Sequence, residues 1–67
     1  MNEFLKNVEV GRKIKLTILK GEKSFFYNGK VISNDKVEEY IVVSDVKVMD
    51  VYCKYTSILD LEVSQNE

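Results

Sequence analysis

The 67 residues make one domain, 1–67, with a net charge of −1, no His and a single Cys. A chain of this size buries only roughly 60% of its unfolded surface, and small cores of this kind lean on disulfides, metals or partner subunits. Cys53 alone excludes an internal disulfide and, without any His, a structural zinc site; the longest apolar runs, such as YIVV at 40–43, exclude a membrane-spanning helix.

In chain order, NEFLKNV carries Phe4 and Val8 at i, i+4 spacing, which predicts a short helix within 1–10, capped by Asn2 and ended near Gly11. RKIKLTILK alternates, with Ile14, Leu16 and Ile18 on one face and Lys13, Lys15 and Thr17 on the other, the pattern of a half-buried strand. KGEKS reads as a loop. FFYNGKVIS is the second strand, its inward set Phe25, Tyr27, Gly29 and Val31 and its outward set Phe26, Asn28, Lys30 and Ile32. The opposite register stays open, since both sets hold apolar residues. Gly29 inside it predicts a bend or bulge.

NDKVEE turns the chain into YIVVSDV, a strand apolar on both faces. A tight reversal at SDVK leads to VMDVYCKY, with Met49, Val51, Cys53 and Tyr55 alternating against Asp50, Tyr52 and Lys54. TS makes one 3-10 turn. ILDLEVS closes the sheet with Leu59, Leu61 and Val63 inward, and residues 64–67 are expected to fray. Five short strands at about ten-residue spacing, with no long helix between them, argue for an all-β barrel or sandwich. The best fit is a strongly bent, five-stranded SH3-like small barrel with a short N-terminal helix. An OB-fold is second, because SDVK leaves no room for its internal helix.

Across most of its length the chain resembles the Sm-like (Lsm and Hfq) family. VGRKIKLTIL is similar to that family's first strand, YNGKVISND to its bent second strand, YIVVSDV to its third, and VYCKYTSILDLEV to its fourth and fifth. CKYTSI resembles the YKHAI segment of the Hfq branch. The resemblance implies a ring of subunits joined through strand edges, with Lys54 and Tyr55 contacting single-stranded RNA at the pore. The chain departs from the family in a loop about three residues longer between Gly21 and Gly29, in Glu38 and Glu39 after the second-strand Asp, and in Tyr55 where the Hfq branch has His.

Charge is unevenly spread. Residues 1–36 hold eight Lys or Arg against four acids, net +4, and residues 37–67 hold two Lys against seven acids, net −5. This marks either a basic face or charges that pair across interleaved strands. No spacing of acids suits a metal, no glycine loop cradles a phosphate, and Cys53 falls within an apolar alternation, so the expectation is a protein that is not an enzyme and carries no cofactor. Seven aromatics exceed what so small a core can hold. An exposed ring beside a lysine stacks bases while the cation meets phosphate, which makes Lys30, Tyr52, Lys54 and Tyr55 candidates for nucleic-acid contact. Phe26 and Tyr40 are candidates for an interface. Plain cross-strand packing is the alternative for each. Two functions follow as expectations: single-stranded RNA binding on a homo-oligomeric ring, or a protein-interaction adaptor that uses the second-strand aromatics, which the net negative charge favours. A lone Cys and no export signal place the expected site of action in the cytoplasm.

Overall fold

The computed structural model describes residues 2–64. Met1 and three of the four residues expected to fray, 65–67, lie outside the described residues, as does the side chain of Asn2, the expected cap. The order of elements is helix α1 (Asn2–Lys6), strands β1 (Lys13–Lys20), β2 (Lys23–Asp35), β3 (Tyr40–Asp45) and β4 (Met49–Lys54), a 3-10 turn (Tyr55–Ser57) and strand β5 (Ile58–Val63). All strand pairings are antiparallel, in the spatial order β4-β3-β2-β1-β5. The strands expected to form a barrel thus make one five-stranded sheet that does not close, with β4 and β5 as its two edges.

Alternation in β1 puts Ile14, Leu16 and Ile18 into the core, where they meet Val31, Ile41, Val43, Cys53, Tyr55, Ile58 and Leu61. Five helical residues cannot hold a helix by themselves in water. α1 persists because Leu5 and Val8 drop into the same core and because Asn34, near the end of β2, donates from Nδ2 to both the Leu5 and Val8 carbonyls at 2.8 Å.

The expected KGEKS loop is only two residues long. Pairing continues to Lys20↔Lys23, leaving Gly21 and Glu22 to turn the chain. Gly21 has φ +65 and Glu22 has no positive φ, the arrangement of a type II′ turn, whose twist matches the flanking strands. The additional residues lengthen the β1–β2 arm instead of forming a loop.

β2 serves both halves of the sheet. It pairs with β1 through Lys30 and with β3 from Gly29 onward. The sequence assigns the bend to Gly29, whereas the structure divides the work between two positions. Gly29 lets β3 pass close, and the extra residue sits at Ile32, where the β2–β3 register slips between Val31 and Ser33. Two further expectations are corrected. Leu59 is 52% exposed, because the β1–β5 register shifts between Thr17 and Ile18 so that Ile58 fills the inward place. Met49 is 72% exposed at φ +73, where it ends a turn instead of entering the core.

That turn repeats a device used ten residues earlier. Asp35 Oδ1 accepts from the N–H groups of Val37 and Glu38, and Asp45 Oδ1 accepts from those of Lys47 and Val48. In each case the fourth residue after the Asp, Glu39 or Met49, takes a positive φ. Asp mimics one backbone acceptor and so starts the turn. A side chain in the left-handed region costs about 1–2 kcal/mol, and glycine's entropy loss gives back about half of that. Met49→Gly is therefore expected to stabilise the chain by about 0.5 kcal/mol. Its urea midpoint should rise by about 0.5 M at a slope of about 1 kcal/mol/M, and a midpoint that falls would contradict the turn assignment.

Candidate binding surface

The face of the sheet opposite the core gathers most of the candidate residues. Lys13 lies across from Lys30, Lys15 across from Asn28 and Thr17 across from Phe26. β3 and β4 continue this face with Tyr40 across from Lys54 and Val42 across from Tyr52. Lys54, Tyr52 and Lys30 are exposed, and so is Phe26, at 79%. Tyr40 is half-buried, its ring tilted against that of Tyr52 at a centroid distance of 5.8 Å. The outward prediction for Phe26 and Lys30 agrees with the structure. Phe25 differs, since it shares the core side with Tyr27 yet is 37% exposed, because its row has no β3 beside it.

Tyr55 is not on this surface. It is 2% exposed, and its hydroxyl donates to Asn34 Oδ1 at 2.6 Å. Burial raises its pKa above the usual phenol value, and the nearby Glu39 and Asp35 carboxylates add to the rise. Alternation along β4 turns Lys54 out and carries Tyr55 in, so the stacking role read for Tyr55 has no exposed ring behind it. Cys53 is also buried, and desolvation pushes its thiol up to about 11. The thiolate is the reactive form, so Cys53 is expected to stay unmodified by a disulfide reagent at pH 7.5 and to react at once in denaturant. Fast labelling of the native protein would contradict its place in the core.

Lys13, Lys15, Lys47 and Asn28 join the surface without a signal of their own in the sequence. The polar side of RKIKLT displays the first two, but their alignment with Lys30 and Phe26 depends on the two-residue turn at Gly21–Glu22. Among the described residues the one ion pair within 4 Å joins Lys6 to Glu39 at 3.8 Å. Lys15 does have Glu62 across from it on β5, and Thr17 has Asp60, so part of the charge asymmetry is balanced between strands. Lys13 and Lys30 have no acid opposite them.

Beside Phe26 a groove of about 370 Å³ runs between β2 and the β3–β4 turn, walled by Val46 and Val48 and flanked by Lys15 and Lys47. The turn is tied to β2 by Asp45, whose Oδ2 accepts from Asn28 N–H at 2.7 Å while Oδ1 holds Lys47 and Val48. The Asn28 and Lys47 amides keep this carboxylate below its ordinary pKa, outweighing the opposite push of desolvation. Its lone pairs are committed to the backbone, which makes Asp45 a structural clasp of the groove.

No family model matches the chain, and no curated protein and no solved structure matches it either.

Proposed function

We propose that the chain is a non-catalytic binding protein, an open variant of the Sm-like small barrel, that holds single-stranded RNA across the outer face of its sheet. The observation that carries the reading is Phe26, a ring 79% exposed, on a face shared with Lys13, Lys15 and Lys30. Single strands are bound by this combination, with rings as stacking platforms and lysines along the phosphates. Tyr52 with Tyr40, beside Lys54, offers a second platform on the same face. Assembly follows from the free edges. β4 of one copy pairing with β5 of the next removes both exposed edges and sets these faces around a ring.

Light scattering gives the mass first, and a strict monomer at micromolar concentration removes the ring. Anisotropy of labelled oligo-uridine then reads binding at two salt concentrations. Phe26→Ala is expected to cost about 1–3 kcal/mol, about 5- to 150-fold in Kd. Each outer-face lysine changed to Ala should reduce the slope of log K against log salt by about 0.7. No binding at low salt refutes the RNA reading. A second reading, a protein-interaction adaptor, is favoured by one feature, the apolar groove wall of Val46 and Val48 beside Phe26.

A further inference from the structure

The β1–β2 arm has an open flank. β3 pairs with β2 only from Gly29, so residues 23–28 of β2 have a neighbour on one side alone. In a two-residue hairpin the closing pair, Lys20↔Lys23, exchanges hydrogen bonds, and pairs then alternate between bonded and non-bonded. Ser24, Phe26 and Asn28 fall in the non-bonded set. Asn28 shows which way that set points. Its N–H goes to Asp45 Oδ2, and its carbonyl accepts from Val46 N–H, both on the β3 side. The N–H and C=O of Ser24 and Phe26 therefore point to the same side, where no strand among the described residues continues, and they open beside the groove walled by Val46 and Val48.

We infer that this flank is a strand-addition site, taking an extended acidic–apolar segment of a partner protein as a sixth strand beside Ser24–Asn28. Main-chain bonds to Ser24 and Phe26 give affinity, and alternating side chains give selection. The groove decides the side chains. An apolar residue meets Phe26, Val46 and Val48, and an acidic one meets Lys47, while the single acid in the groove, Asp45, is already committed to three backbone N–H groups. A second copy's β2 arm is a poor occupant, because it brings Lys23 and Lys30 of its own to the same flank. The inference rests on the adaptor reading and is independent of RNA binding.

The probe is a labelled octapeptide alternating Glu and Val, with a Lys–Val octapeptide as control. The Glu–Val peptide is expected to bind saturably, to shift the backbone amide NMR signals of Ser24, Phe26 and Val46–Val48, and to bind at least tenfold more tightly than the control. Ser24→Pro removes one flank donor, spares the bonds to β1 and leaves Phe26 and every outer-face lysine in place. It should weaken the peptide tenfold or more while oligo-uridine binding stays unchanged. Equal binding of the two peptides, shifts at the β4 or β5 edge instead, or undiminished binding by a folded Ser24→Pro variant overturns the inference. Self-association that Ser24→Pro abolishes also overturns it, in favour of a second copy. Shift mapping on the unmodified protein decides the matter if the variant does not fold.

Discussion

Gly29→Ala is expected to unfold the protein or nearly so, lowering stability by about 3 kcal/mol or more. A Cβ on Gly29 would collide with the Ser44 carbonyl oxygen and lie 2.7 Å from the Ser44 carbonyl carbon. Both are backbone atoms of the paired strand, so no side chain can swing aside. Relief requires β2 and β3 to separate where Gly29 faces Asp45, and that row also anchors the clasp on Asn28 and the β3–β4 turn. A domain of this length has about 3–10 kcal/mol in total, so the loss is comparable with the whole. Gly21→Ala provides the contrast. Its added methyl meets nothing within 4 Å, and only φ +65 is strained, which costs about 1 kcal/mol. Urea unfolding followed by circular dichroism separates the two. Equal effects at Gly21 and Gly29 would mean that β3 does not pass as close as described.

Asn34→Ala is the second large effect, at about 3 kcal/mol. This one side chain makes three hydrogen bonds, donating to the Leu5 and Val8 carbonyls and accepting from the Tyr55 hydroxyl. Its removal strands three polar groups beside the core, and a buried group left without a partner costs about 1–3 kcal/mol. Part of that is recovered where water can enter. Tyr55→Phe breaks only the 2.6 Å bond and leaves the packed ring in place, for about 1 kcal/mol. In the double variant the losses should fall short of additive by about the value of that bond, since both changes remove the same contact. Strict additivity would show that the hydroxyl does not engage Asn34. The helix signal should fade first in Asn34→Ala, because this side chain and the buried Leu5 and Val8 tie α1 to the core.

The sheet was legible in the sequence wherever alternation was clean. Ile14, Leu16 and Ile18 needed no tertiary information, and the both-sided apolarity of Ile41, Val42 and Val43 correctly marked an interior strand. Errors arose where one residue changed the count. Leu59 is a single insertion in a ladder, and an apolar residue at a bulge looks no different from one in register; Ile32 is another, although its outward place was read correctly. Met49 looked like a core residue because a positive φ leaves no mark on a Met codon. At the surface, Phe26 and Lys30 were readable as an outward pair. Lys13, Lys15 and Lys47 were not seen as their companions, because alignment between strands is set by turn geometry and KGEKS does not announce a turn at Gly21–Glu22. Tyr55 was misplaced for a physical reason. Its hydroxyl is satisfied inside by Asn34, and a tyrosine with a buried partner has the same letter as one exposed to solvent.

The strand order also bears on the sequence of events in folding. Neighbouring strands pair through short turns everywhere except at β5, which lies beside β1 although it comes fifth in chain order among the described strands. The three hairpins close cheaply, whereas β1 and β5 must meet across the length of the chain, and contacts of that separation are formed late and slowly. During synthesis, β1 therefore waits with one unpaired edge until Ile58–Val63 has emerged. For that interval the apolar row of Ile14, Leu16 and Ile18 lacks its cover from Ile58 and Leu61, so the window for mispairing between nascent chains closes only with the final strand.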